Sequence, residues 1–240
     1  MSRDNLYADG EIKEDFRFTE GVAEVFDDML SRSVPGYAQV IEMSAQLLGR
    51  FLKPEERVYD LGCSTGATLL KLAKRLEPLS LHFTGIDNSA PMIAKARRKA
   101  EMYGKQEQLT FIENDILDAD LPDAGAIILN YTMQFIRPML RADFLRKICT
   151  ALRPGGVLIM SEKILSPDPL INRAFIDCYL DFKRSQGYSE LEISRKREAL
   201  ENVLIPFTMA ENIDLLQRAG FTRVEPFCQW FNFVSILAVK

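Results

Sequence analysis

The chain alternates between short apolar runs and longer segments in which apolar residues recur every three or four positions. The short runs predict strands, and they lie at residues 58–61, 82–86, 109–112, 126–129 and 157–160. The intervening segments with helical periodicity are residues 67–76, 91–103 and 141–152. Strands that alternate with helices in this order predict a parallel, doubly wound α/β sheet with helices on both faces.

Two helices are predicted before this alternating region. Val22, Val25, Phe26 and Met29 lie at the spacing of one helical face. A Pro-Gly turn signal follows, and a second helix is predicted at residues 38–52.

The pattern changes after residue 166. Residues 169–204 predict two helical segments that meet near residues 186–189, and another helix is predicted at residues 210–219. Two strands that look antiparallel follow, at residues 223–227 and 231–239. We therefore expect a single α/β domain with a mostly parallel, seven-stranded sheet and an antiparallel C-terminal hairpin. Its expected parts are an N-terminal helical segment (1–54), a core (55–165), a helical insertion (166–205) and a closing helix with the hairpin (206–240).

Composition narrows the class of protein. The 240 residues include 30 basic and 34 acidic side chains, for a formal charge of -4. This balance disfavours direct binding of nucleic acid or of a membrane surface. The four cysteines form no C-x-x-C pair, so no metal site is expected. No stretch approaches the roughly 18 apolar residues of a membrane span, and we expect a cytoplasmic protein.

The sequence contains one histidine, His82. It lies at the start of a predicted strand, where an edge position is a more ordinary role than catalysis. Histidine is the usual general base near neutral pH and the partner of most serine or cysteine nucleophiles. Chemistry in this chain is therefore expected to depend on a bound cofactor and on electrostatics.

Polar residues follow the ends of four predicted strands. A loop rich in small residues, DLGCSTGA at residues 60–67, comes after the first strand. Asp87, Asp115 and Asn130 come at or after the ends of the next three. Ligands of open α/β sheets bind at the carboxyl ends of the strands, where an acidic side chain can accept hydrogen bonds from ribose hydroxyls. Asp115 could accept from an adenine amino group while Ile116 packs on the ring, so a nucleoside site is predicted.

Residues 55–165 resemble the class I S-adenosylmethionine-dependent methyltransferase fold. The shared features, in chain order, are Asp60-x-Gly62-x-Ser64-x-Gly66, Asp87, Asp115-Ile116 and the RPGG turn at residues 153–156. Ser64 departs from the pattern, since glycine is common there. The G-x-G-x-x-G spacing that binds a pyrophosphate is absent, which disfavours a nicotinamide-dependent oxidoreductase.

A closer resemblance, to the carboxy-S-adenosyl-L-methionine synthase family, covers nearly the whole chain. The matching segments are residues 22–26 (VAEVF), 32–37 (RSVPGY), 58–64 (VYDLGCS), 85–89 (GIDNS), 181–184 (DFKR), 187–194 (GYSELEIS) and 200–203 (LENV). The resemblance implies an enzyme that converts S-adenosylmethionine and prephenate to carboxy-S-adenosylmethionine and phenylpyruvate. It also implies a homodimer, and a product that a separate enzyme uses to carboxymethylate a wobble uridine in tRNA.

The resemblance also implies a set of binding residues. They are Tyr37, Gly62, Cys63, Ser64, Asp87, Asn88, Asp115, Ile116, Asn130 and Arg197. Arg197, in its own subunit or from a neighbouring one, is expected to hold the extra carboxylate of the product, and Tyr37 could donate to the same group. The unranked candidates for binding prephenate are Lys163, Lys183, Arg184 and Arg195. No side chain is assigned as a catalytic acid, base or nucleophile.

Two other functions remain open at the level of sequence. A conventional methyltransferase could use the same pocket, and it would yield S-adenosylhomocysteine together with a methylated acceptor. A non-catalytic dimeric module could instead bind S-adenosylmethionine and present its helical insertion to a partner.

Overall fold

The structure is a computed structural model that describes residues 3–4, 6–7 and 16–240. Part of the predicted N-terminal helical segment, at residues 1–2, 5 and 8–15, lies outside the described residues. The helices are α1 (Glu20–Ser33), α2 (Tyr37–Phe51), α3 (Ala67–Arg75), α4 (Ala90–Met102), α5 (Pro138–Ala151), α6 (Pro169–Ser185), α7 (Glu190–Leu200) and α8 (Met209–Ala219). The strands are β1 (Arg57–Leu61), β2 (His82–Asp87), β3 (Leu109–Glu113), β4 (Ala124–Asn130), β5 (Leu152–Leu165), β6 (Phe207–Thr208), β7 (Arg223–Trp230) and β8 (Phe233–Val239).

The strands form one sheet in the order β3-β2-β1-β4-β5-β8-β7. Strands β1 to β5 pair in parallel, whereas β8 is antiparallel to both of its neighbours. The predicted fold class is thus confirmed. Strand β6 was not predicted, because its two residues, which pair with the end of β5, are too few to show a periodicity.

Several predicted boundaries differ from the structure, among them the end of β7, which lies at Trp230 rather than at residue 227. Helix α5 begins at Pro138 rather than near residue 141, since proline suits the first turn of a helix, which needs no N–H donor. Strand β5 extends well beyond the predicted run at residues 157–160. It lengthens because Leu152 pairs with Ala124 before that run and Lys163 pairs with Phe233 after it.

The central strand β4 is buried on both of its faces. Ile127 and Leu129 pack into the apolar layer that contains Leu216 of α8. Ile128 packs into the opposite layer, which contains Leu72 of α3. Burying each side chain of this size contributes about 1.5–3 kcal/mol. The two layers therefore hold the carboxyl ends of the parallel strands in fixed positions.

Helices α1 and α7 are linked above the carboxyl ends of the strands. The α1 side chains Phe26 and Met29 form an apolar cluster with Phe16 and with Ala199 of α7. The Phe16 N–H also donates to the Ala199 carbonyl at 2.9 Å. Both helices begin with a side-chain cap, Thr19 for α1 and a Ser189 capping box for α7. Together with α6 they form a roof, by which we mean helices α1, α6 and α7.

Two features are absent from residues 3–4, 6–7 and 16–240. No helix there is long and apolar enough to cross a membrane. No group of three or more histidine, cysteine, aspartate or glutamate side chains there could hold a metal ion.

Candidate functional site

A cavity of about 930 Å³ lies between the roof and the carboxyl ends of the parallel strands. This volume is near the upper end of the range of about 300–1,000 Å³ that is typical of small-molecule sites. All ten residues predicted to bind the ligand line this one cavity: Tyr37, Gly62, Cys63, Ser64, Asp87, Asn88, Asp115, Ile116, Asn130 and Arg197. The structure thus brings the predicted residues together, while the role of each remains a prediction.

The four unranked cations separate into two groups. Lys163 and Lys183 line the cavity. Arg184 is exposed and pairs with Asp181 and Glu190 on the surface. Arg195 donates to the Tyr7 carbonyl at 3.0 Å. Only the first two are therefore placed to contact a ligand in this cavity.

The loop after β1 owes its shape to three residues with left-handed backbone. Gly62, Ser64 and Gly66 have φ angles of +79°, +48° and +71°. A Cβ atom on Gly62 would lie 2.6 Å from Thr132 Oγ1, so glycine is required there for space as well as for conformation. Ser64 adopts the left-handed conformation without being glycine, so the departure noted in the sequence keeps the form of the loop.

Asp87, at the end of β2, connects this loop to α4. Its Oδ2 accepts a hydrogen bond from the Ser64 N–H at 2.9 Å, and its Oδ1 accepts one from the Ser89 N–H at 2.9 Å. Burial raises the pKa of Asp87, and these two hydrogen bonds oppose that effect. Ser89, rather than Asp87, caps α4. A carboxylate with two such bonds still has lone pairs for two further donors, such as the hydroxyls of a ribose.

Two buried acceptors at the strand ends lack a hydrogen-bond partner within residues 16–240. They are Oδ1 of Asp60, on β1, and Oδ1 of Asn130, on β4, and both residues line the cavity. Burial, together with the nearby Asp87, raises the pKa of Asp60 to about 7. Buried polar groups in folded proteins are nearly always paired. These acceptors therefore indicate a ligand that carries hydrogen-bond donors or positive charge.

Asp60 was noted in the sequence as part of the glycine-loop pattern but was not included among the binding residues. The sequence could have indicated it, because a carboxylate at the end of an otherwise apolar strand has to be buried. The structure shows that it is 1% exposed.

The residues after β3 form one wall of the cavity. Asp115 is exposed, and its Oδ1 accepts from the Leu117 N–H at 2.9 Å, which fixes the turn. Ile116 is half-buried against the main apolar cluster. The carboxylate and the apolar side chain thus lie side by side at the same strand end, as the contact with an adenine base requires.

Tyr37 and Asn130 meet at a shared hydroxyl group. Thr68 Oγ1 lies 3.3 Å from the Tyr37 hydroxyl and accepts from the Asn130 amide at 3.3 Å. Burial raises the pKa of Tyr37, so its hydroxyl stays protonated and can donate to an anion. This supports the predicted role of Tyr37 without testing it.

Cations line the part of the cavity beneath α6 and α7. Lys163 of β5, Lys183 of α6 and both Lys196 and Arg197 of α7 lie there. Arg197 reaches the cavity of its own chain and, within the part of the chain that the structure describes, makes no ion pair. Lys196 was missed in the sequence. The sequence did contain a signal for it. Ile193, Lys196, Arg197 and Leu200 are spaced so that they lie on one face of a helix, which places Lys196 beside Arg197 on α7.

The fold and this cavity define a protein of the class I methyltransferase fold. The family model described as "Methyltransferase domain" matches residues 58–156. Human N-acetylserotonin methyltransferase, solved in complex with S-adenosylmethionine, superposes with a TM-score of 0.62 at 20% identity, over 92% of this chain and 56% of that one. An O-methyltransferase family protein from Burkholderia thailandensis superposes with a TM-score of 0.66 at 17% identity, over 91% of this chain and 59% of that one. These likenesses show the fold.

Within that class, the chain belongs to the carboxy-S-adenosyl-L-methionine synthase family. The protein of that name from Desulfotalea psychrophila is 54% identical over 238 residues, which are 99% of this chain and 97% of the relative. The one from Nautilia profundicola is 47% identical over 229 residues, or 95% and 96% of the two chains. The one from Methylococcus capsulatus is 45% identical over 242 residues and covers 100% of both chains.

Proposed function

We propose that this chain carboxylates S-adenosylmethionine, with prephenate as the carboxyl donor, and yields carboxy-S-adenosylmethionine and phenylpyruvate. One observation carries the proposal. One cavity has unpartnered acceptors, Asp60 and Asn130, at the strand ends, and beneath the roof its lining has more cations than carboxylates, with Lys163, Lys183, Lys196 and Arg197 against Glu201. The two acceptors suit the positively charged ammonium and sulfonium groups of S-adenosylmethionine. The cations suit a substrate and a product that carry carboxylates.

The nucleoside would be held by the carboxyl ends of the parallel strands. Asp87 would accept from the ribose hydroxyls, and Asp115 from the adenine amino group, with Ile116 against the ring. Asp60 and the Asn130 amide oxygen would face the positively charged methionine part. A cation there would also favour the ionised form of Asp60, whose charge is disfavoured by burial and by Asp87.

The carboxylate of the product would be held by Arg197 and Tyr37. A guanidinium group can bind a carboxylate through two parallel hydrogen bonds, and it remains charged at any relevant pH. The Tyr37 hydroxyl would add a third donor. This assignment gives both residues a role in binding the product, whereas S-adenosylhomocysteine lacks the added carboxylate and would use neither the Arg197 guanidinium nor the Tyr37 hydroxyl in this way.

The reaction balances without a protein nucleophile. The bond from the prephenate ring to its carboxylate breaks, hydroxide leaves, and the ring becomes aromatic. The methyl carbon next to the sulfonium gives its proton to that hydroxide, which forms water, and bonds to the released carbon dioxide. The protein contributes positioning, exclusion of water and fixed charges. This fits a chain whose one histidine, His82, is exposed at the start of β2.

We further propose that the protein is a cytoplasmic homodimer without resident metal, and that its product supplies a separate enzyme that carboxymethylates a wobble uridine in tRNA. The formal charge of -4 supports a protein that makes a small metabolite without gripping RNA itself.

The proposal is tested with purified protein, S-adenosylmethionine and prephenate labelled with heavy carbon in its ring carboxylate. Mass spectrometry should show a sulfonium product that is heavier than S-adenosylmethionine by one labelled carbon dioxide. Arg197→Met should lose this product but still bind S-adenosylhomocysteine. Arg184→Met, at an exposed arginine outside the cavity, is the matched control and should keep wild-type turnover.

Two results would contradict the proposal. Release of S-adenosylhomocysteine with a methylated acceptor would support a conventional methyltransferase. Binding of S-adenosylmethionine without any turnover of labelled prephenate would support a non-catalytic module.

A further inference from the structure

Three lysines of the cationic wall alternate with two tyrosines, of which Tyr179 lines the cavity and Tyr188 is buried behind it. Lys163 Nζ lies 4.8 Å, and Lys183 Nζ 5.1 Å, from the ring centre of Tyr179. Lys183 Nζ also lies 6.0 Å, and Lys196 Nζ 5.7 Å, from the ring centre of Tyr188. We call these five residues the lysine–tyrosine cluster. Such contacts between ammonium groups and aromatic faces are favourable, but they leave the N–H donors of the lysines available.

The two tyrosines are fixed through their hydroxyl groups. The Tyr179 hydroxyl donates to the Ser33 carbonyl at 3.0 Å, at the end of α1. The Tyr188 hydroxyl donates to Asp4 Oδ2 at 2.5 Å. Their rings are therefore held in place independently of any ligand, so the lysines rest on a preformed surface.

The positive charge of the cluster is poorly compensated. Asp4 Oδ2 lies 3.8 Å from Lys196 Nζ, which also donates to Ser33 Oγ at 3.1 Å. Among the residues that the structure describes, the ammonium groups of Lys163 and Lys183 make no hydrogen bond or ion pair. Lys183 is nevertheless only 6% exposed. Burial of an unpaired charge is costly, which indicates that an anion completes this wall.

The cations continue from the cluster to Arg197. Arg197 is close enough to Lys163 for its charge to lower the pKa of that lysine, and Lys163 and Lys196 act in the same way on Lys183. A ligand with two carboxylates could therefore place one at Arg197 and the other at the lysines.

We propose that the lysine–tyrosine cluster binds the carboxylate of the 2-oxo acid side chain of the donor, which is not transferred and leaves with the phenylpyruvate product. The inference rests on the proposed function and deepens it. Arg197 would hold the carboxylate that moves, and the cluster would hold the one that stays. Lys163, Lys183 and Lys196 would thus be binding and specificity residues for the second substrate.

The titration of the lysines supplies a second consequence. Burial, followed by the charges of Lys196 and Lys163, lowers the pKa of Lys183 to about 7, and the charge of Asp4 opposes this effect. Burial and Arg197 lower the pKa of Lys163 to about 8, and burial lowers that of Lys196 to about 8, with Asp4 opposing and Arg32 adding to the effect. A bound carboxylate favours the charged forms. Binding above neutral pH should therefore take up protons.

The test uses phenylpyruvate as the probe and wild-type protein saturated with S-adenosylhomocysteine. Isothermal titration calorimetry at pH 8, in two buffers with different ionisation enthalpies, should show net proton uptake. Lys183→Met should weaken binding at least about tenfold, as for the loss of one charge-assisted hydrogen bond, and should reduce the proton uptake. Lys183→Arg should restore affinity, because it restores the charge.

Controls separate binding from folding. Lys183→Met should bind S-adenosylhomocysteine as the wild type does. Lys74→Met, at an exposed lysine of α3, makes the same substitution outside the cavity and should behave as the wild type. Should Lys183→Met fail to fold, Lys163→Met, at a partly exposed position, gives an independent reading in which the same loss of affinity is expected.

The two proposals fail in different ways. The cluster would be overturned as a substrate site if Lys183→Met kept the turnover, the KM for prephenate and the proton uptake of the wild type. The proposed function would still stand. Absence of labelled product from the wild type would overturn the proposed function, whatever the binding of phenylpyruvate shows.

Discussion

Removal of the Asp87 carboxylate should weaken nucleoside binding while the protein remains folded. In Asp87→Ala, the N–H groups of Ser64 and Ser89 each lose an acceptor that lies 2.9 Å away. A nucleoside would also lose the acceptor for its ribose hydroxyls. A hydrogen bond to a charged group is worth about 1.5–3 kcal/mol. With two ribose bonds lost and part of the effect recovered by water, we expect affinity to fall by about 3 kcal/mol, or roughly hundredfold.

Asp87→Asn should also bind more weakly, although it keeps the size of the side chain. Both carboxylate oxygens accept from backbone N–H groups. Whichever way the amide turns, its NH2 group therefore faces one donor. The expected affinity lies between those of the wild type and Asp87→Ala.

The assay is calorimetric titration with S-adenosylhomocysteine, with a thermal melt of each protein to confirm folding. Asp118→Ala, which removes an exposed carboxylate outside the cavity, is the matched control and should bind as the wild type does. Binding by Asp87→Ala within about threefold of the wild type, or less than 1 kcal/mol, would refute the reasoning.

Two further predictions concern the residues around this loop. Gly62→Ala should lose about 1–3 kcal/mol of stability and also weaken nucleoside binding, because its Cβ would lie 2.6 Å from Thr132 Oγ1. Gly104→Ala, whose φ is +62° with open space around the Cβ, should lose only about 1 kcal/mol and bind normally; thermal melts and titrations compare the two. Asp60→Asn should change how the stability of the ligand-free protein depends on pH. The pKa of Asp60 is raised to about 7 in the folded state, so its contribution to stability is fully present below about pH 4 and is lost as the pH rises to 7.

The Asp60→Asn prediction is measured by denaturant unfolding at several pH values. Between pH 4 and pH 7, the free energy of unfolding of Asp60→Asn should rise relative to that of the wild type by up to about 4 kcal/mol. Parallel profiles for the two proteins would show that Asp60 is not protonated preferentially in the folded state.

The strand half of the site could be predicted from sequence because local pattern determines it. The apolar run that becomes β4 is long enough to identify a buried strand, and Asn130 follows it directly. Parallel strands end at one edge of the sheet, so Asp87, Asp115 and Asn130 had to meet there.

The roof half of the site could not be derived in the same way. Asp4 and Tyr188 are 184 residues apart, and no local periodicity predicts a contact between them. Lys183 lies on α6 and Lys196 on α7, and only the packing of both helices above the sheet brings them to one wall. Arg197 was identified through a family resemblance rather than through spacing.

The backbone hydrogen bond from Phe16 to Ala199 has a consequence for the order of biosynthesis. As a ribosome releases the chain, the glycine loop and the ends of β1 to β4 are complete once Asn130 has emerged. The roof over them has to wait for α7, since Phe16 and α1 pack on a helix that is made about seventy residues later. The emerging chain therefore completes the strand-end half of the cavity first, and it gains the cationic wall beneath α6 and α7 only near the end of translation.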